Sequence, residues 1–299
     1  MPRGLTPPRP FIAGGRPAIQ GEVAGEGPAI VLCHGITATR RYVVHGSRTL
    51  ERAGHTVVSY DARGHGESDP APPGGSYGYP ELVDDLEAVL AETVGGAPVV
   101  LAGHSMGAHT AVAYALRHPE RAAGLVVIGP TYTPQNPASA VLLPHIEGQK
   151  NSGTGFWDGL AAALESDGVN GFVDYIDRNQ DIDPAWRDSV LRFTRERLLL
   201  HRHPAAIVEA LRQVPRSRPF EAIEELEGLD IPTLVVASHD EADPGHPYEV
   251  ARAYAQSLPQ ARLIEEQPGQ SPLAWQGGRL SREIAAFAAE EAVSSRFSP

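Results

Sequence analysis

Long apolar runs are missing from this chain, and so is a second cysteine. No stretch is long and apolar enough to cross a bilayer, which takes about 20 such residues. The opening Met1-Pro2-Arg3-Gly4-Leu5-Thr6-Pro7-Pro8 lacks the apolar centre of a secretory signal. Cys33 is the single cysteine, so an internal disulfide is excluded and nothing calls for an oxidising compartment. Within the apolar run Ala29 to Cys33 it reads as a buried core thiol. Positive charge is scarce: 25 Lys and Arg against 37 Asp and Glu leave a net charge of −12, which argues against a general nucleic-acid surface. A Gly-rich phosphate loop, zinc-ligand spacing and a dinucleotide fingerprint are all lacking, so no cofactor and no metal are expected. Finally, no histidine follows His246. A cytoplasmic protein is the expectation.

What is present is a regular alternation. The chain of 299 residues, 41% hydrophobic and 21% charged, is long enough for a sizeable core. Phe11-Ile12 and Ala18 to Val23 read as short strands joined at Gly14-Gly15. Ala29 to Cys33 has the continuous apolar pattern of a strand buried on both faces. A helix is expected over Thr39 to Ala53, a strand over Thr56 to Tyr60, and an amphipathic helix over Glu81 to Thr93 with Leu82, Leu86, Val89 and Leu90 on one face. Strands over Val99 to Ala102 and Gly124 to Ile128 close the first half. The pattern resumes with a strand over Pro232 to Ala237, a helix near Glu249 to Ser257, a strand over Ala261 to Glu265 and a helix near Gly278 to Ala289. Such alternation implies an α/β fold with a doubly wound, mostly parallel sheet. No strand pattern occurs between Thr131 and Arg218. That segment opens Pro- and Gly-rich and then turns helical, with Asp183-Pro184 as N-cap and first helical residue and with Trp186, Val190, Leu191 and Leu198 facing inward. Residues 1–130 and 219–299 are therefore expected to form the core, and 131–218 an inserted helical cap.

Gly103-His104-Ser105-Met106-Gly107 joins an apolar strand to a helical run. Side chains two residues either side of such a serine would collide with the neighbouring strand and helix, so glycine is needed at both places. His34-Gly35 follows the strand ending at Cys33; Asp61-Ala62-Arg63-Gly64-His65-Gly66-Glu67-Ser68 and Val236-Ala237-Ser238-His239-Asp240 follow two others. Taken together and in this order, these motifs resemble the α/β-hydrolase superfamily in its cap-bearing form, over nearly the whole chain. The resemblance implies that Ser105 is a nucleophile on a strand–turn–helix elbow supported by Gly103 and Gly107. It implies an oxyanion hole made of the N–H groups of Met106 and of Ile36, just beyond His34-Gly35. Asp240 would be the acid that orients an imidazole, with Asp243 and Glu241 as rivals.

The same resemblance exposes a gap. The family carries its histidine on the loop after the last strand, and that loop here contains Gly269-Gln270. Gln270 is expected to point toward Ser105 and Asp240, where it can hold water or a polar substrate group but cannot act as a base. Three explanations stay open: a histidine from elsewhere (His246, His239, His201 or His203) fills the place; the chemistry needs no such base; or catalysis is lost and binding kept. His34, His104 and His109 read as structural, and His65 as the variable residue of its turn. Arg187, Arg192, Arg195, Arg197, Arg202, Arg212, Arg216 and Arg218 stand out on an acidic background. They read as a solvated cap face, or as a source of one arginine that holds a substrate carboxylate. The leading reading is an enzyme acting on a small ester, thioester or lactone-like substrate through Ser105. The alternative is a lyase, cyclase, isomerase or small-molecule binding protein that uses the same pocket. The expected partner is a small molecule, one that can carry a carboxylate, with neither nucleic acid nor membrane; a homodimer is left open.

Overall fold

A computed structural model of the chain describes residues 5–131, 133, 135–138, 154–239 and 242–297. The strands are β1 (Arg9–Ala13), β2 (Ile19–Ala24), β3 (Ala29–Cys33), β4 (Thr56–Tyr60), β5 (Val99–His104), β6 (Ala122–Ile128), β7 (Thr233–Val236) and β8 (Ala261–Ile264). They form one 8-stranded sheet in the order β1-β2-β4-β3-β5-β6-β7-β8. The first two pairings are antiparallel and every later one is parallel.

The parity of the strand residues decides what packs where. In β3, Val31 and Cys33 enter one apolar cluster with Leu82 and Leu86 of α2 (Tyr79–Thr93), Val112 of α3 (Met106–Arg117) and Tyr254 of α7 (Tyr248–Ser257). Ile30 and Leu32 enter the other, with Leu50 of α1 (Thr49–Arg52) and Leu280, Ile284 and Phe287 of α8 (Gly277–Ala288). Helices therefore cover both faces, which is why the central strands read as unbroken apolar runs rather than alternating ones. Each large side chain fully buried this way contributes about 1.5–3 kcal/mol.

Between β6 and β7 the described residues add helices and no strand: α4 (Gly155–Asn179, bent at Gly168, φ 63°), α5 (Arg187–Leu198) and α6 (Pro204–Gln213). Leu160, Leu164, Phe172, Ile176, Leu198, Ile207 and Leu211 form an apolar cluster of their own, and Ile36 packs against it.

Two expectations are corrected. The helix expected over Thr39 to Ala53 shrinks to Thr49–Arg52. His45 and Gly46 take φ 47° and 72°, which no α-helix accommodates, and the residues before them form turns. The helix expected from Asp183 begins at Arg187. Asp183 instead caps a turn, with Oδ1 accepting from the Ala185 N–H at 2.7 Å. Leu198 is buried as expected, and Trp186, Val190 and Leu191 are partly buried against the same cluster.

The Asp61–Ser68 turn is a polar knot. Asp61 accepts from the N–H of Arg40 (2.7 Å) and of Glu67 (3.1 Å) and from the Arg40 guanidinium (2.5 Å). Ser68 Oγ donates to the Asp61 carbonyl at 2.6 Å. Arg63 makes a buried two-pronged contact with Asp85 at 2.7 and 2.8 Å and donates to the carbonyls of Ser76 and Glu81. Burial pushes the Asp85 carboxyl up despite this partner. Removing Arg63 would strand that carboxylate in the core. Arg63→Ala is expected to lower stability by about 3–5 kcal/mol, measured from the urea midpoint at pH 7. A loss below about 1 kcal/mol would show that the pair is not buried as described.

Candidate functional site

The site lies at the carboxyl ends of β3, β5, β6 and β7, where Cys33 pairs with Gly103, His104 with Ile128 and Ile128 with Val236. Ligands in doubly wound sheets bind at this edge. Ser105 links β5 to α3 with φ 55° and ψ −118°, a conformation that non-glycine residues adopt only when their surroundings force it. The forcing is visible. A Cβ on Gly103 would lie 2.1 Å from the Gly107 carbonyl oxygen, and one on Gly107 would lie 2.1 Å from that of Cys33. Gly35 packs on the other side, where a Cβ would come within 3.1 Å of Ser105 Cβ. The Ser105 N–H donates to Ile128 O at 3.0 Å. Met106 is the first residue of α3, so its N–H has no acceptor inside the helix.

Ser105 lines a cavity of about 460 Å³ between the sheet edge and the helices that precede β7. Gly35, Ile36, Thr37, His104 and Thr131 line it from below; Phe156, Trp157, Leu160, Phe172, Ile176, Phe193 and Arg197 line it from α4 and α5. The segment Ala242 to Pro247, between β7 and α7, forms a further wall.

That segment holds a hydrogen-bonded pair. His246 Nδ1 and Asp243 Oδ1 are 2.7 Å apart, both side chains mostly buried. The His246 N–H donates to the Asp243 carbonyl at 3.0 Å, and Thr131 Oγ1 ties the loop down through Gly245 O at 2.7 Å. The His246 ring lies 4.8 Å from that of His104, the residue before Ser105. Burial pushes the Asp243 carboxyl up, but the His246 charge and hydrogen bond, with His104 and Arg197, outweigh it and hold Asp243 below the usual carboxylate range. With Nδ1–H donated to a carboxylate, the Nε2 of His246 keeps its lone pair and can take a proton. His104, Asp243 and His246 are also the described residues whose ligating atoms gather within 4.8 Å of one another. Their 2.7 Å contact has the spacing of a donor–acceptor pair, whereas two ligands on one ion at bonds of about 2.1 Å lie roughly 3 Å or more apart.

The other sequence candidates fall as follows. Ile36 lines the cavity, and Met106 is buried at the start of α3. His34 Nδ1 donates to Gly35 O at 2.8 Å and its Nε2 accepts from the Ala62 N–H at 2.9 Å, so it braces the loop carrying Ile36. His109 lies beneath the site, engaging the Tyr254 hydroxyl and Thr131 O. His201 accepts from the Gly66 N–H at 2.9 Å and donates to Thr37 O at 3.0 Å, leaving neither nitrogen for proton transfer. His239 points outward, bonded to Glu265 and stacked on Tyr248. His203 is not among the cavity residues. Asp240 and Glu241 lie outside the described residues.

Gln270 requires a correction. It does not face the cavity: its side chain is exposed and its Oε1 accepts from Arg279 Nη1 at 2.9 Å. The loop turns away at Gly269 (φ 79°). It is anchored by buried Glu266, which accepts from Ser238 Oγ, the His239 N–H and the Leu273 N–H. The sequence offers Asp243 and His246 as separate candidates and does not pair them. The signal of the pair is an acid and a histidine three apart between prolines and a glycine, Asp243-Pro244-Gly245-His246-Pro247.

The profile of the alpha/beta hydrolase fold family matches residues 28–277. The mouse sn-1-specific diacylglycerol lipase ABHD11 is 36% identical over 102 residues, 34% of this chain and 32% of that protein. Epoxide hydrolase B of Mycobacterium tuberculosis is 37% identical over 103 residues, 34% of this chain and 29% of that protein. The chain thus spans about a third of the length of these curated relatives. A thermophilic esterase from Thermogutta terrifontis superposes with a TM-score of 0.70 over 98% of this chain and 100% of its own, at 22% identity. Among the described residues, no helix is long and apolar enough to cross a membrane.

The buried histidines set a pH dependence. Burial lowers His104 to about 3, His109 to about 3 and His201 to about 4. The unfolded chain protonates these groups near pH 6.5 and the folded one does not, so their contribution to stability is full above pH 6.5 and is lost as pH falls toward 4. His201 faces His34, Asp61 and Arg197. Stability is expected to drop between pH 6.5 and 5, before most carboxylates titrate, by up to about 1.4 kcal/mol per pH unit for each histidine. His201→Gln should make that fall shallower in urea melts. An unchanged slope would mean that His201 is not held neutral.

Proposed function

The chain belongs to the α/β-hydrolase fold family, and on that premise we propose that it hydrolyses a small ester, thioester or lactone-like substrate through Ser105. The observation that carries this reading is that the strained Ser105 opens on the same cavity as the His246–Asp243 pair. Residues 131–218 act as the cap that covers the site and shapes the substrate pocket.

In this mechanism Ser105 Oγ attacks the carbonyl carbon while His246 Nε2 takes the hydroxyl proton. Asp243 holds the imidazole through Nδ1 and stabilises its charge without being protonated itself. The oxyanion of the tetrahedral intermediate is met by the N–H groups of Ile36 and Met106. Main-chain donors of this kind need no reorganisation, and each is worth about 3 kcal/mol in the transition state. Collapse expels the alcohol or thiol with the proton from His246, and water then releases the acid by the same steps in reverse. The order along the chain is nucleophile, acid, base, as in the family. The departure is that acid and base share one loop.

Labelling with a fluorophosphonate and hydrolysis of 4-nitrophenyl esters test this. Ser105→Ala should abolish labelling. Asp243→Asn and His246→Ala should each lower kcat by about 10³-fold or more, while Gln270→Ala should change neither labelling nor kcat. Labelling and turnover that survive in His246→Ala would overturn the assigned base. If the unaltered protein is not labelled at all, Ser105 is not activated, and the lyase, cyclase, isomerase or binding-protein reading replaces this one.

A further inference from the structure

Most arginines of the block between β6 and β7 have an evident partner. Arg187 pairs with Asp177 at 2.5 Å, Arg212 with Glu165 at 2.6 Å and Arg216 with Asp158 at 2.7 Å. Arg195 bonds the Asn170 side chain, and Arg192 stacks on Phe193. Arg197 differs. It lines the cavity that Ser105 lines. Its Nε is buried without a hydrogen-bond partner, and among the described residues no carboxylate lies within ion-pair distance of its guanidinium. Asp243, the acid whose field it feels, is already bonded to His246. Burial pushes the Arg197 guanidinium down, with Asp243 and Tyr42 acting the other way.

A guanidinium stays charged in proteins, and a buried charge without a partner is costly to the fold. Its planar fork of N–H donors fits a carboxylate in a two-pronged contact. Arg197 shares the lining with Asp243, already bonded to His246, and with the exposed Asp181; its guanidinium is the positive group of that wall that can meet an incoming anion. The rest of the wall from α4 and α5 is mostly apolar and aromatic, with Phe156, Trp157, Leu160 and Phe172 beside the polar Asn179 and Thr194. A cavity of about 460 Å³ takes a small organic molecule and not a long chain.

We propose that the Arg197 guanidinium is the subsite for a carboxylate borne by the substrate, so that the preferred substrates are small acyl compounds with an apolar body and a free carboxylate. This rests on the hydrolytic reading for the word substrate, and on the cavity alone for the carboxylate. No covalent step involves Arg197. It positions the acid end while the acyl carbon faces Ser105.

Two measurements separate the two readings. The first is the ratio of kcat/KM for mono-4-nitrophenyl glutarate to that for the neutral 4-nitrophenyl pentanoate, in the full chain. Arg197→Met should lower this ratio by about 10²-fold, the scale of one hydrogen-bonded charge, chiefly through KM for the glutarate, and Arg197→Lys should restore part of it. The second is calorimetry on Ser105→Ala with 4-phenylbutanoate and its uncharged amide. The carboxylate should bind more tightly than the amide, and the double variant Ser105→Ala/Arg197→Met should bind them equally. This second result stands even if no ester is ever hydrolysed, so failure of the hydrolytic reading does not hide success here. An unchanged ratio in Arg197→Met, or equal binding of carboxylate and amide to Ser105→Ala, overturns the proposal. Thermal melts of each variant establish that it is folded before either comparison is read.

Discussion

Three stretches of backbone meet at Ser105 with no room for side chains between them, and the rest of the molecule is organised around that contact. The end of β5, the first turn of α3 and the end of β3 approach so closely that a single added carbon on Gly103 or Gly107 would overlap a carbonyl oxygen. The positive φ of Ser105 follows from this closure. Such a turn is unfavourable in isolation and persists only where its neighbours over-determine it. Here they do: β5 lies in the middle of the sheet, fully buried up to Gly103, and α3 is buried along most of its length. The sheet and its two apolar layers are thus what hold one hydroxyl at the edge of a cavity.

A second set of contacts carries that rigidity outward to the helices between β6 and β7. His34 braces the loop of Ile36 from one side and His201 from the other, the latter reaching from beyond α5 to Thr37 O and to the Gly66 N–H. Gly66 belongs to the Asp61–Ser68 turn, whose carboxylate would collide with any Cβ at that position. The turn therefore joins the sheet, the loop of Ile36 and the segment after α5, through the two histidines and through the Arg202 N–H, which donates to Gly66 O at 2.9 Å. These bonds, with the packing of Ile36 against the apolar cluster of α4 to α6, fix those helices to the loop of Ile36.

How much of this could be read from the residues alone depended on whether the signal was local. Strands buried on both faces announce themselves as apolar runs, and the elbow announces itself through glycines whose necessity is steric, so both were legible. The helix expected over Thr39 to Ala53 survives only as Thr49–Arg52, because positive φ at His45 leaves no trace in apolar spacing. Gln270 was placed by its position in a loop, but the direction of that loop is set by buried Glu266 and its partners across β7, a long-range contact without a sequence signature. Arg197 could not be singled out among its neighbouring arginines for the same reason. What distinguishes it is that no described carboxylate lies within ion-pair distance of it, a matter of tertiary placement that leaves no trace in the local sequence.

The position of Asp243 ties these departures together. In a triad spread over two loops, acid and base are brought together by tertiary structure. Here they are three residues apart, and the turn closed by the His246 N–H and the Asp243 carbonyl holds the pair before any tertiary contact is added. On the proposed mechanism this local closure leaves no demand on the loop after β8, where Gln270 turns to solvent and engages Arg279. It also puts the carboxylate of Asp243 between its hydrogen bond to His246 and the charge of Arg197. The His246 contact is short and directional, so Asp243 is committed to the imidazole. Arg197 receives only the weaker, longer-range part of its field and keeps its donors for whatever enters the cavity. On the proposed mechanism, a single acid committed to the imidazole accounts for both the short Asp243–His246 contact and an arginine that no described carboxylate reaches.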